Sequence, residues 1–255
     1  MGFDLDLTYF IFIFARMVGC IMFNGIFGRA NLPRIFQFGL AVFLSIAVLD
    51  ALPVHNYPEI TTSIEYMVLI MKELFLGFVI GTIMNLFSTI VIIAGEATDM
   101  QIGLAMAKIY DPKSNISMGI SASILNVLFM LLFFTSNCHI TLIKIFLVSC
   151  KALPIGQLNY TPELFSSIVE LFSLIFIFSM KLIMPILAIE FITEMCMGVL
   201  MKAIPQIHIF VVNIPLKIVI GLVFMMILLP AFSSYIDRIF TIMFETVRAN
   251  LNLIT

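Results

Sequence analysis

Tryptophan is absent from the 255 residues, charged side chains make up only 11%, and neither sign prevails, with 13 Lys and Arg against 15 Asp and Glu. A soluble globular domain carries roughly 25% charge, so this scarcity excludes one. At a formal net charge of -2 there is no basic excess to release counterions from a phosphate backbone, which excludes nucleic-acid binding. Cysteine is sparse: Cys20, Cys138, Cys150 and Cys196 lie far apart, with no CxxC pair and no histidine at ligand spacing. Metal sites need clustered ligands, so the four read as small core residues, and neither a metal nor another cofactor is expected. His55, His139 and His208 each stand alone, which suits single hydrogen-bonded or interfacial side chains better than a proton relay. No GxxxxGK[ST] loop occurs, so any energised transport here leaves nucleotide hydrolysis to another protein. Gly/Ser linkers and charge blocks are missing too.

What is present is apolar. Hydrophobic residues make up 62%, mean hydropathy is +1.17, and there are 26 Phe and 18 Met, a mixture that packs either in lipid or in an adaptable protein–protein seam. About 20 consecutive apolar residues cross a bilayer as a helix, because lipid offers exposed backbone groups no partner. Such segments are expected at about 7–27, 35–52, 65–93, 164–191 and 210–232. A charge-free run at 114–143 is too long for one simple crossing and is expected to bend or re-enter. The fold class that follows is an all-α integral membrane protein of about six spanning or semi-spanning helices in hairpins, with Pro and Gly breaks. Asp4 and Asp6 precede a first apolar stretch much longer than a signal-peptide core, so the first helix is expected to be retained. Arg29 and Arg34 flank the first turn while the second has no cation, which places the amino terminus outside the cytoplasm; Lys144 and Lys151 then fall on the wrong side, leaving the second half open.

Ionisable groups inside apolar segments are costly, and each is a functional candidate by default. Arg16, Lys72, Glu73, Lys181, Glu190 and Lys217 qualify. Lys72 and Glu73 are neighbours and face different ways, so their partners lie elsewhere. Lys72, Glu73 and Lys217 sit near segment ends, where long stems reach the interface. The Gly77-xxx-Gly81 spacing lets helix backbones approach closely. The densest polar cluster runs from Ala94 to Leu104; on a helix Glu96, Asp99 and Gly103 would form one acidic, small face, able to bind a cation, line a wet path or pack against a polar partner. Pro112 restricts Asp111 to extended geometry and ends the helix before it. Met106, Ile109 and Tyr110 then stand among polar neighbours, as flexible apolar side chains suited to sealing a pore or to ordinary burial. Breaks at Pro154-Ile155-Gly156, Pro185, Pro205-Gln206 and Pro215 would interrupt helices, as in secondary transporters whose half-helix ends bind substrate.

Taken in order, Arg29-Ala30-Asn31-Leu32-Pro33-Arg34, Ala94-Gly95-Glu96 with Gln101-Ile102-Gly103-Leu104, Asp111-Pro112, Ala152-Leu153-Pro154-Ile155-Gly156, Ala203-Ile204-Pro205-Gln206-Ile207-His208-Ile209-Phe210 and Ile214-Pro215-Leu216 resemble the FliR family of flagellar biosynthesis proteins. The likeness runs from Arg16 to Pro230. It implies a non-enzymatic subunit of the type III export gate in the bacterial inner membrane, at the flagellar basal body, through which unfolded flagellar proteins leave the cytoplasm. In that family one FliR-like chain assembles with several FliP-like and FliQ-like chains and contacts FlhB-like protein, with FlhA-like protein and an ATPase below. The implied architecture is a FliP-like part over about 1–200 followed by a FliQ-like helical hairpin over about 201–255, much of it raised above the membrane plane. The matching pore-plug positions are Met106, Ile109 and Tyr110, with Met106 and Ile109 where Phe is common among relatives. Glu96, Asp99, Gln101, Gly103, Asp111, Pro112, Pro205, Gln206 and Pro215 are expected to hold subunits together. Two alternatives stand beside this reading: an injectisome gate subunit, and an autonomous ion-coupled transporter using Glu96, Asp99 and the broken helices.

Overall fold

The computed structural model describes residues 7–28, 32–51, 62–105, 118–156, 161–204 and 209–254, in the last stretch with side chains from residue 212 onward. They form seven helices and, among the described residues, no strand: α1 Leu7–Met22, α2 Arg34–Ala51, α3 Ser63–Ile102, α4 Ile120–Thr135, α5 Cys138–Ala152, α6 Pro162–Ala203 and α7 Ile209–Asn252. Four of them, α2, α3, α6 and α7, are long and apolar enough to cross a membrane, and α4 with α5 makes a fifth if that pair is one broken span. The all-α membrane class holds, with one helix more than expected.

The difference arises where the long apolar run breaks. It does so at Ser136–Asn137: the Ser136 amide closes the last turn of α4 on the Leu132 carbonyl at 2.8 Å, and Asn137 takes a left-handed φ of 56°, a conformation asparagine tolerates better than most residues. The expected bend is there, and it makes two helices of one segment.

Elsewhere α1 ends at Met22, short of its expected segment, while α3, α6 and α7 outrun theirs. The polar stretch after residue 93 continues α3 to Ile102, because its polar groups find partners without leaving the helix. Thr98 Oγ1 donates to its own Ala94 carbonyl at 2.8 Å. Gly103, at φ +93°, ends the helix, its amide bonded to the Asp99 carbonyl at 3.1 Å. It is the left-handed residue after the last turn, not part of an acidic face.

Pro185 and Pro215 do not break their helices. Both lie inside continuous helix, as does Pro230; a proline removes one donor and frees one carbonyl, and a long helix held by its neighbours absorbs that. Residues 209–252 are one helix, whose antiparallel partner is α6: Lys217 reaches Glu194, and the Tyr235 hydroxyl reaches the Phe178 carbonyl at 3.4 Å.

By contacts the chain divides into two compact units. The first holds residues 1–87, 137–172 and 240–255, and its core includes Phe12, Ile13, Met17, Leu76, Ile80, Leu142 and Phe146, all essentially without solvent exposure. Here α1 and α3 meet along glycines. A Cβ at Gly19 would lie 2.6 Å from the Leu74 carbonyl oxygen, one at Gly77 would overlap the Arg16 carbonyl, and one at Gly81 would sit 3.0 Å from the Gly19 carbonyl. The Gly77-xxx-Gly81 spacing is therefore a true close-approach surface. The second unit holds residues 88–136 and 173–239, around Ile90, Val91, Ala122, Leu125, Phe129, Phe133, Ile183, Ile186 and Ile236.

Candidate functional site

Two polar centres lie inside these apolar units, one in each. In the first, Arg16 of α1 and Glu73 of α3 are wholly buried. The guanidinium fork meets three acceptors: Nε donates to Glu73 Oε2 at 2.7 Å, Nη1 to the Ser149 carbonyl at 2.9 Å and Nη2 to the Leu153 carbonyl at 3.1 Å. Nη2 also lies 2.6 Å from Glu73 Oε2. Ser149 lies in the last turn of α5, where its carbonyl also accepts from the Leu153 amide at 3.0 Å, and Leu153 directly follows the helix, so the guanidinium sits at the end where a cation complements the helix dipole. The other carboxylate oxygen, Glu73 Oε1, accepts from the Gly156 amide at 3.2 Å. Gly156 has φ +83°, the conformation with which the Pro154-Ile155-Gly156 turn leaves α5. A plate of buried charge thus joins α1, α3, the end of α5 and this turn, with every strong donor and acceptor answered.

The sequence marked Arg16 and Glu73 separately and read Glu73 as an interfacial stem. That reading is corrected by its burial. The pair is separated by 57 residues, and the available signal was two opposite charges, each isolated in an apolar helix. Cys20 and Cys150 lie beside this centre and are buried; Cys138 is buried too, whereas Cys196 on α6 is exposed and so is not the core residue expected.

In the second unit Glu96 and Asp99 point at the start of α4. Gly119, the residue before that helix, has no side chain with which to cap it. Glu96 Oε1 accepts from the Gly119 amide at 2.7 Å, and both oxygens of Asp99 lie 3.1 Å from the Ser121 amide. Two carboxylates of α3 therefore satisfy amides that helix geometry leaves open, at the end where negative charge is favoured. Small residues permit the approach: a Cβ on Gly95 would overlap the Ala122 backbone, and one on Gly119 would strike the Asp99 carboxylate. Replacing Asp99 with alanine is expected to cost about 1–2 kcal/mol, read as a lowered melting temperature of the detergent-solubilised protein; asparagine, which keeps one acceptor, costs less.

Also in the second unit, Lys217 of α7 pairs with Glu194 of α6 at 3.0 Å, while Glu190, one turn along α6, is buried. Lys181 is exposed, its ammonium 5.9 Å from the Phe178 ring centre. Of the other positions singled out by sequence, Gln101 lies in the last turn of α3 and Pro215 is exposed on α7. Met106, Ile109, Tyr110, Asp111, Pro112, Pro205 and Gln206 lie outside the described residues, as do Arg29, His55 and His208. Among the described residues no group of three or more His, Cys, Asp and Glu side chains is placed to hold a metal ion.

Comparison with known proteins agrees with this architecture. The family model described as bacterial export proteins, family 1, matches residues 7–243. A flagellar biosynthetic protein FliR of Escherichia coli K12 is 28% identical over 230 residues, covering 90% of this chain and 87% of that protein. The FliR of Bacillus subtilis 168 is 25% identical over 248 residues, covering 96% and 95%, and that of Aquifex aeolicus VF5 is 28% identical over 244 residues, covering 94% and 91%. Near end-to-end agreement with flagellar proteins, on a chain with at least four apolar spans, leads to one conclusion: the chain belongs to bacterial export proteins, family 1, as a FliR-type integral protein of the bacterial inner membrane.

Proposed function

We propose that this protein is a non-enzymatic subunit of the flagellar type III export gate, assembling with FliP-like and FliQ-like chains and meeting FlhB-like and FlhA-like proteins, to form and close the pore through which unfolded flagellar proteins pass. The observation that carries the reading is a mismatch of lengths. Exposed apolar side chains recur along α6 from Phe165 (54%) to Leu200 (41%), through Phe176, Met184, Phe191 and Val199, with Glu170, Lys181 and Glu194 the exposed charges among them. At 1.5 Å per residue that stripe is about 53 Å long, against a hydrocarbon layer of about 30 Å. To hide it in lipid alone the helix would have to tilt by about 55°, beyond the 0–40° range seen for spanning helices. Other protein must cover the remainder. A subunit of a larger helical assembly, partly raised above the bilayer, meets that requirement.

The same geometry speaks against an autonomous transporter. Helix breaks at Pro185 and Pro215 would have supplied half-helix ends for substrate, but helix continues through both. At the Pro154–Gly156 turn the groups nearest the break are engaged by Arg16 and Glu73. Glu96 and Asp99 are engaged by α4 amides instead of being presented to an ion. Within the gate reading, Met106, Ile109 and Tyr110 form the apolar plug, and Asp111, Pro112, Pro205, Gln206 and Pro215 join Gln101 and Gly103 in holding neighbouring subunits. The FliQ-like hairpin is then α6 with α7, not residues 201–255 alone. A flagellar and an injectisome gate differ in cargo, and the flagellar names of the relatives favour the former.

The test is the mass and composition of what co-purifies with a tagged copy extracted gently from its own host. A large complex with several FliP-like and FliQ-like chains per copy is expected. A stable monomer or pure homo-oligomer would overturn the assignment in favour of the transporter.

A further inference from the structure

The seam between α6 and α7 has unbalanced charge. Between Lys181 and Lys202 of α6, and over residues 209–236 of α7, the charged side chains are Glu190, Glu194 and Lys217. Lys217 Nζ binds Glu194 Oε1 at 3.0 Å, the lysine side chain 13% exposed and the glutamate 54%. Glu190 is fully buried, and among the described residues neither of its oxygens has a hydrogen-bond partner. It lies against the bare backbone of Gly221, where a Cβ would come 2.9 Å from Glu190 Oε1 and 2.5 Å from Ile102 of α3. The carboxylates on that end of α3, Glu96 and Asp99, already serve α4. One ammonium thus faces two carboxylates.

The surface beside them is apolar and uncovered: Phe191 and Met195 of α6 are 61% and 62% exposed. Covered by lipid or protein, the half-exposed Glu194 loses its water, and a carboxylate without water needs a second cation or donor. We infer that this seam docks an apolar helix of another subunit that carries a single Lys or Arg, whose charge completes a two-cation, two-carboxylate cluster with Glu190, Glu194 and Lys217. The occupant is set by charge complementarity: an apolar helix without a cation leaves the excess negative charge sealed in a dry contact, and an acidic one doubles it. A guanidinium suits best, since its planar fork can grip the exposed Glu194 while its charge balances the buried Glu190 one helical turn away. The inference rests on the multi-subunit reading above and adds the chemistry of one contact to it.

The experiment places a photo-crosslinking phenylalanine analogue at Met195 of the full chain in its native membrane and maps the attached peptide by mass spectrometry. The expected product is an apolar helix of a different chain, with a Lys or Arg within about one turn of the attachment point. Glu194→Lys should lower crosslink yield on the order of tenfold, since like charges then face each other. Converting the partner's basic residue to Glu should restore it. Because Glu194 is half-exposed, the variant should still accumulate; should it not, Glu194→Gln, which keeps the shape, reads the same contact with a smaller loss. Attachment to lipid, to a helix without a basic residue or to this chain's own residues 106–117 would overturn the inference, as would failure of the charge swap to restore yield. If no complex of different chains co-purifies, the gate reading itself falls and takes this inference with it. An intact complex with the crosslink elsewhere removes the inference alone.

Discussion

Replacing Arg16 with alanine is expected to destabilise the protein by about 3–5 kcal/mol, the cost of leaving a buried charge without its partner. Glu73 would remain wholly buried among apolar side chains, and the carbonyls of Ser149 and Leu153 would lose the donors that join α5 to α1. The loss is large against a typical domain stability of about 5–15 kcal/mol, so the variant should accumulate poorly in membranes and unfold well below the wild-type temperature in detergent. Glu73→Gln retains a neutral acceptor and should fall between the two. Replacing both partners at once with apolar residues of similar volume, Arg16→Met with Glu73→Leu, should recover most of the loss, because it removes both desolvation costs together. A double variant as unstable as Arg16→Ala would show that the carbonyl contacts, and not the ion pair, carry the effect.

Replacing Met106, Ile109 and Tyr110 together with glycine is expected to make membranes that contain the assembled complex leak small ions and metabolites. The proposed seal consists of side-chain bulk: flexible apolar groups close a passage and yield to a moving chain, and glycine supplies no bulk. The segment bearing them leaves at Gly103, which ends α3, and returns at Gly119, held by Glu96. The variant should therefore leave assembly intact while raising conductance in reconstituted vesicles. Unchanged conductance with the complex intact would remove the plug assignment from these three positions.

The sites divide by how far apart their partners lie in the chain. The Gly77-xxx-Gly81 pattern was readable because both glycines lie on one helix, although only the structure supplies Gly19 of α1 as the surface they meet. The break in the long apolar run was readable from length alone. The acidic pair Glu96 and Asp99 was visible as a cluster, yet its use was not: spacing gives the face, and the target, the uncapped start of α4, lies 22–23 residues downstream across the segment after Gly103. Pro185 and Pro215 misled because proline disfavours helix locally by about 3 kcal/mol, a penalty that the remaining turns outweigh in a helix of more than 40 residues.

By itself the sequence determined the solvent. With so few charges and so many apolar side chains the chain must live in lipid or inside protein, and lipid leaves its backbone little choice but helix. Periodic and local features follow from the same information, including where most helices run and which glycines and charges are out of place. Only the tertiary structure decided how those charges are answered: Arg16 by Glu73 and the end of α5, Asp99 by the amide of Ser121, and Glu190 by no hydrogen-bond partner among the described residues. The reason is physical. A buried charge selects its partner by distance in space, which sequence separation does not encode, and the cost of leaving it unpaired is paid only once the helices have packed and water has gone.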